Sequence, residues 1–345
     1  MQNNQETINV IGHFAQNKNL YDGQTIKTRV FYDGLKKYSG YRLVTTDTYG
    51  WKKRPVKLFF NLVKNYHKSD KTIMMVDAGG IKLIPFVLCL LKKIWHKKLY
   101  YNVIGGWLPD VTKENGRIRN ELKQFDKILV ETSIMKEMLE EQNFVNVKIV
   151  TNFKDLQISD FDKTQLEGKL PKRFCIFSRI TKKKGITDAC NVIDKINAET
   201  GKCVVVLDIY GDIDEQYKEE FSNLIKSDNV NYCGKIEPSD SVSVIEKYNA
   251  LLFPTLYFTE GIPGTIIDAF FSKTPIIAAK WRSYSDILNE NNALLFELGS
   301  VEEFKKQVEI FINDDDLQTK LVMQDEDILR YDLEQGIKEF LKEME

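Results

Sequence analysis

The sequence predicts an α/β protein built from two doubly wound domains in tandem, facing each other across a central cleft. Three observations predict it. The chain has 345 residues, more than one ordinary hydrophobic core organises. Short runs rich in β-branched and aromatic residues alternate with helical patterns through both halves, the signature of parallel sheets covered by helices. A polar, aperiodic stretch from Lys154 to Lys172, closed by Leu170-Pro171, interrupts that alternation near the middle and reads as a linker.

In chain order, the strand candidates of the first half are Thr7–Gly12, Tyr41–Thr46, Thr72–Val76, Lys98–Ile104, Lys127–Glu131 and Asn146–Val150. Those of the second half are Arg173–Ser178, Cys203–Tyr210, Asn229–Tyr232, Ala250–Phe253, Pro275–Ala278 and Ala293–Phe296. The domains are therefore expected at 1–155 and 156–325. The tail from Asp325 reads as a charged amphipathic helix, with Ile328, Leu329, Leu333, Ile337, Phe340 and Leu341 at helical spacing. This segment, 326–345, is expected to pack back on the N-terminal domain.

Composition narrows the function classes. At 43% hydrophobic and 29% charged residues the chain is an ordinary globular protein. Its most apolar run, Ile81–Leu91, contains Lys82 and is too short to span a bilayer, which needs about 20 residues. The N-terminus shows no basic and apolar leader pattern, so a cytoplasmic protein is expected. The five cysteines, Cys89, Cys175, Cys190, Cys203 and Cys233, form no C-x-x-C pair and read as buried, reduced thiols. His13, His67 and His96 are too dispersed for a metal site, so no metal and no cofactor are expected.

Charge is unevenly distributed. Residues 1–170 carry 28 basic against 18 acidic side chains, and residues 171–345 carry 21 against 32. Residues 51–100 alone hold 12 basic and two acidic ones. Such a face beside an apolar helix suits an anionic membrane surface or a phosphorylated acceptor, and equally a solubilised helix surface. No nucleic acid partner is expected.

Doubly wound domains bind ligands at the carboxyl ends of their strands, where helix N-termini face anionic groups. Two loops of the second half suit this. Arg179-Ile180-Thr181-Lys182-Lys183-Lys184-Gly185 lies between a strand and a helix for which Thr187 is the expected N-cap. Its arginine and lysines can close on a diphosphate with hydrogen bonds of about 1.5–3 kcal/mol each; alone, they also fit a solvated basic turn. The second loop runs from Thr259 through Glu260, Gly261, Ile262, Pro263, Gly264 and Thr265 to Asp268. Its glycines permit close backbone approach, and its helix start offers free amides. Thr265 and Asp268 are also spaced as a capping box, so Asp268 is either a cap or a ligand contact.

The R-x4-K-G turn, the E-x7-acid loop, Pro275-Ile276-Ile277 and Asn292-Ala293-Leu294-Leu295-Phe296 together resemble the donor half of glycosyltransferase family 4, the glycosyl transferases group 1 of bacterial polysaccharide assembly. The resemblance covers most of residues 171–315. It implies the GT-B fold, two Rossmann-like domains. It also implies a retaining, metal-independent transfer of sugar from a UDP- or GDP-sugar to a glycan or lipid-linked saccharide. By it, Arg179 and Lys184 hold the donor phosphates and Glu260 faces the transferred sugar, these three forming the catalytic set. Asp268 grips the ribose, where the family normally carries glutamate. The backbone of the segment Gly261, Ile262, Pro263, Gly264 and Thr265 serves sugar and phosphate. The base lies near Gly211 and near Gly234, Lys235 and Ile236. Asp212-Ile213-Asp214 formally matches the metal-bearing D-x-D of GT-A enzymes, but Asp160-Phe161-Asp162 matches it too, and the position fits the family's turn after its second donor-domain strand.

In the first half, within Tyr21-Asp22-Gly23, the resemblance brings the Gly23 backbone to the donor diphosphate. It puts Gly105, Gly106 and Trp107 on the acceptor side, where many relatives carry a histidine and this chain has none. Trp107 reads as a hydrophobic plug or as a stacking platform. The expected location is the cytoplasm or the inner face of the membrane. Two rival readings are a sugar-nucleotide epimerase or hydrolase of the same fold, and an inactive accessory partner of a transferase.

Overall fold

The computed structural model of the chain describes residues 5–16, 18, 20 and 22–345. It consists of two compact units, Met1–Asp155 with Tyr331–Glu345, and Leu156–Arg330. Among the described residues each unit holds one six-stranded sheet, all parallel.

In unit 1 the strands are β1 (Thr7–Gly12), β2 (Arg42–Asp47), β3 (Lys71–Met75), β4 (Lys98–Asn102), β5 (Lys127–Val130) and β6 (Val147–Ile149), in spatial order β2-β1-β3-β4-β5-β6. In unit 2 they are β7 (Lys172–Phe177), β8 (Val205–Tyr210), β9 (Val230–Tyr232), β10 (Ala250–Phe253), β11 (Ile276–Lys280) and β12 (Ala293–Glu297), in order β12-β11-β10-β7-β8-β9. The central strands are nearly continuous apolar runs because helices cover both faces of each sheet. Strand order reverses between β1 and β3 in unit 1 and between β7 and β10 in unit 2. At such a switch the connections leave in opposite directions and open a crevice at the carboxyl edge.

Three helices follow the first strands of unit 1: α1 (Gly23–Tyr38), α2 (Pro55–Lys68) and α3 (Ile84–Trp95). The helix Leu333–Met344 returns to pack on α1. It approaches so closely that a methyl group on Gly34 would lie 2.6 Å from Leu333 and 2.7 Å from Ile337, and one on Gly336 only 2.0 Å from Phe153. Phe340, Ile337 and Leu333 join Ile8, Val10 and Phe31 in one buried cluster.

The tail is not one helix from Asp325. A short helix, Asp325–Ile328, ends in unit 2, and the chain restarts at Leu333 in unit 1. Asp332 is the reason: its extended backbone breaks the run, and its carboxylate accepts from the amides of Glu334 (2.8 Å) and Gln335 (3.4 Å).

The expected linker is also no free tether. From Leu156 it packs on unit 2, and Lys163 is buried there, donating to the carbonyls of Glu246 (2.6 Å) and Tyr248 (3.2 Å) and to Thr274 Oγ1 (2.8 Å). Burial pushes its ammonium down to about 7. Cys89, Cys175 and Cys190 are buried, and burial raises all three thiols. Cys203 and Cys233 are exposed instead. Cys203 precedes β8, which starts only at Val205 after the turn at Gly201, and Cys233 lies just past the short edge strand β9.

Candidate functional site

The two loops singled out in the second half flank the switch point of unit 2. The first follows β7 and the second follows β10, the neighbours between which strand order reverses. Two glycines draw the backbone together there. Gly185 has φ +69° and a methyl group on it would sit 1.8 Å from the Pro254 carbonyl oxygen. Gly211, at φ +144°, stands equally close to the Ser178 carbonyl. Only glycine tolerates both the conformation and the approach. The amide of Leu256 donates to Lys183 O at 2.8 Å, so the loops are hydrogen-bonded across the switch.

This seam places Lys184 on Glu260 as an ion pair, with side chains 25% and 13% exposed. Thr255 Oγ1 donates to Glu260 Oε1 at 3.0 Å, and the Lys184 ammonium lies 5.6 Å from the Phe253 ring centroid. A cation and an acid are thus held side by side at the carboxyl edge, half out of water, where charge interactions outlast salt screening better than on an open surface.

The other expected cations are paired too. Arg179 donates to Asp214 Oδ2 at 2.6 Å, and Lys235 pairs with Asp212. Asp212 and Asp214 are held opposite Arg179 by a backbone bridge, Ile180 N to Asp212 O at 2.8 Å and Asp214 N to Ile180 O at 3.0 Å. The D-x-D acids therefore answer the cations of the neighbouring loops. Sequence reasoning missed this, because Arg179 and Asp214 are 35 residues apart and no local pattern links them. Both pairs are largely exposed and contribute at most about 1 kcal/mol, so an incoming anion can displace them at small cost.

Thr187 is not the N-cap of the next helix. That helix, Ile186–Thr200, starts directly after Gly185, and the Thr187 hydroxyl instead meets Tyr217 OH (2.7 Å) and Glu220 Oε1 (2.8 Å). Burial raises the Asp188 carboxyl above its usual range, against the pull of Lys182. Asp268 is not a cap either. The helix Gly264–Phe271 begins after Pro263, which leaves Asp268 a full turn inside, buried, accepting from Ser241 Oγ at 2.8 Å. Among the described residues the Thr265 hydroxyl, buried at the start of this helix, has no hydrogen-bond partner. The amides of Gly264 and Thr265 have no acceptor inside a helix that begins there. Trp281 Nε1 fixes the loop by donating to Gly261 O at 3.2 Å, and Ile262 is buried beneath it. Ile236 stands half-buried after β9, next to Gly234 at φ +79°.

In unit 1 the expected residues line the carboxyl edge of the other sheet. Gly23 opens α1, where Asp22 caps by accepting from Thr25 N at 3.1 Å, and a methyl group on Gly23 would meet nothing among the described residues within 4 Å. Tyr21 lies outside the described residues. Gly105, at φ +80°, and Gly106 follow β4. Trp107 packs on the core with its indole N–H on Ile104 O at 2.9 Å, the geometry of a plug.

Two groups there escaped the sequence reading. Lys27 and Glu131 form a buried ion pair. Thr25 Oγ1 donates to Asp22 Oδ2 at 2.7 Å, and His13 Nδ1 lies 2.7 Å from the same Thr25 oxygen. Because the hydroxyl proton is committed to Asp22, His13 donates through Nδ1. His13 carried no sequence signal beyond its position one residue past a strand.

Among the described residues no three His, Cys, Asp or Glu side chains gather in a metal-holding group. No described helix is long and apolar enough to cross a membrane.

Residues 158–326 match the family of glycosyl transferases group 1. No curated protein matches the chain. Among solved structures the chain is similar to Anabaena HepE in complex with UDP and glucose (15% identity, TM-score 0.74, covering 97% of this chain and 99% of that one). It is similar to the lipopolysaccharide outer core galactosyltransferase WaaB in its apo form (14%, 0.66, 98% and 99%). It is also similar to a mutant of S. aureus TarM in complex with Fondaparinux, alpha-GlcNAc-glycerol and UDP (18%, 0.64, 83% and 59%). At these identities the likeness establishes the fold: two Rossmann-like units of the GT-B class.

Proposed function

We propose, from the premise that residues 158–326 form a glycosyl transferases group 1 domain, that this protein is a retaining, metal-independent glycosyltransferase of family 4. It moves a sugar from a UDP- or GDP-sugar to a glycan or lipid-linked saccharide in surface polysaccharide assembly. The observation that carries the reading is the seam at the switch point of unit 2, where Lys184 and Glu260 meet between β7 and β10. The UDP complexes of HepE and TarM support a uridine nucleotide as the first donor to test.

In this reading the donor diphosphate takes Arg179 and Lys184 from their carboxylate partners. The pyranose lies toward Glu260, the ribose hydroxyls reach Asp268, and Ser241 holds that carboxylate in place. The orphaned Thr265 hydroxyl and the free amides at Gly264 and Thr265 supply further donors to anionic oxygens. Lys235, Ile236 and the Gly234 turn flank the base. Gly105 and Gly106 serve the acceptor by their amides, whereas Trp107 acts as a plug.

The acceptor oxygen bonds to the anomeric carbon on the face that the diphosphate leaves. The carbon–oxygen bond to the diphosphate breaks with its electron pair going to the phosphate oxygen, which takes the acceptor proton. The products are the glycoside and a nucleoside diphosphate. Catalysis is mainly electrostatic, Arg179 and Lys184 stabilising charge as it grows on the leaving group. The protein works in the cytoplasm, attached peripherally to the inner face of the membrane.

The test is turnover of UDP- and GDP-sugars with and without a saccharide acceptor, preceded by a thermal-shift screen of nucleoside diphosphates. Acceptor-dependent release of nucleoside diphosphate is expected. Release that ignores the acceptor, or no nucleotide binding at all, contradicts the proposal.

A further inference from the structure

The exposed faces of α2 and α3 remain unused by the donor site. On α2, Leu58, Leu62 and Tyr66 face the core, while Val56, Phe59 and Phe60 lie on a second apolar stripe. Val56 is 66% and Phe60 65% exposed. On α3, which packs beside α2, Phe86, Leu90 and Ile94 repeat every four residues on the side away from the core, Ile94 being 64% exposed. A helix needs one apolar stripe to join a core. Here each of two adjacent helices carries a second, turned to solvent.

Cations border these stripes. Lys53, Lys57, Lys64, Lys82 and Lys93 are exposed and form no ion pair among the described residues. From Trp51 to Pro109 the acidic residues are Asp70 and Asp77, neither of them on α2 or α3. Apolar side chains ringed by unneutralised cations match the boundary between anionic head groups and acyl chains. They do not match a second copy of this chain, which would set the same cationic face against itself.

We infer that α2 and α3 together form a footing on an anionic lipid surface, with Val56, Phe59, Phe60, Phe86, Leu90 and Ile94 entering the acyl boundary and the surrounding lysines on lipid phosphates. The inference deepens the membrane part of the proposed function and rests on its acceptor part for its purpose. Both helices run back from the carboxyl edge of the sheet, because each follows a parallel strand. Their first turns therefore lie at the edge that carries Gly23, Gly105 and His13, and a footing there brings the head group of a lipid-linked acceptor to those loops.

The test is flotation of the full chain with vesicles of phosphatidylcholine alone and of phosphatidylcholine mixed with phosphatidylglycerol. The double variant Phe59→Glu, Phe60→Glu and the double variant Lys57→Ala, Lys64→Ala are compared with the unmodified chain. Each is checked for folding by its melting temperature and for its donor site by the shift that UDP produces. The expected result is co-flotation of the unmodified chain with the anionic vesicles only, weakening as salt rises. The glutamate variant should lose at least about tenfold in partition, and the alanine variant about fivefold per cation removed, with the UDP shift retained in both.

Failure of the unmodified chain to float at low salt, equal binding to both vesicle types, or equal binding by the folded glutamate variant overturns the footing. So does a dimer in solution that the same glutamates disperse. Each of these outcomes leaves the nucleotide result standing, and absence of a UDP shift with intact flotation would fault the donor site instead.

Discussion

Lys184 and Glu260 should respond to substitution in opposite directions. The two are paired across the switch point, and both are only partly exposed. A diphosphate must draw the ammonium away from that carboxylate. Replacing Lys184 by alanine removes one charge-assisted hydrogen bond to the ligand, about 1.5–3 kcal/mol, which is a loss of roughly 10- to 150-fold in UDP affinity. Replacing Glu260 by glutamine removes the competitor. The pair is partly solvated, so its strength is discounted to about 0.5–1 kcal/mol, and UDP should bind about two- to fivefold tighter. Isothermal titration with UDP reads both effects. Turnover falls in both variants, by at least about tenfold for Lys184→Ala, while the melting temperature stays close to that of the parent. Parental UDP affinity in the lysine variant, or a loss as large in the glutamine variant, would refute the exchange of partners.

Four further outcomes follow from the structure. Gly185→Ala combines a left-handed backbone with a methyl group 1.8 Å from the Pro254 carbonyl oxygen, and should cost at least about 3 kcal/mol and abolish UDP binding. Gly40→Ala, at φ +68° with nothing within 4 Å, should cost only about 1 kcal/mol in denaturant titration. Burial lowers the Lys163 ammonium to about 7 from its ordinary 10.5, so above pH 7 the unfolded chain binds the extra proton and stability rises with pH. That slope, at most about 1.4 kcal/mol per pH unit between pH 7 and about 9, should appear in urea unfolding and vanish in Lys163→Met. Gly336→Ala should cost about 1–3 kcal/mol by forcing the C-terminal helix off Phe153, measured as a lower melting temperature.

Much of the fold was legible because parallel strands buried on both faces leave continuous apolar runs. Every strand candidate named in the sequence has its counterpart within a few residues, from Thr7–Gly12 to Ala293–Glu297. The two loops after β7 and β10 were legible for a related reason: glycine, arginine and lysine crowd a strand end there, and the topology puts those loops at the switch point. What escaped was pairing over distance. Asp214 reaches Arg179 only because β7 and β8 are neighbours, and Ser241 reaches Asp268 only through the packing of two short helices.

Apolar periodicity also misled in the tail. It runs unbroken through Ile328, Leu329 and Leu333, although one helix ends at Ile328 and Asp332 caps the next. On α2 the core stripe of Leu58 and Leu62 and the exposed stripe of Phe59 and Phe60 both follow the helical turn, so spacing alone does not separate them. Lys163 and Thr187 went astray through the opposite fault: polar residues were assigned to loop and cap by type, and tertiary neighbours claimed them.

The most direct measurement is a crystal structure of the protein with an intact UDP- or GDP-sugar. The account predicts the pyrophosphate at the switch point between β7 and β10, with Arg179 released from Asp214, Lys184 turned from Glu260 onto phosphate, the ribose on Asp268 and the sugar beside Glu260. A nucleotide bound elsewhere, or a crevice left empty at saturating concentration with those ion pairs unbroken, would contradict it.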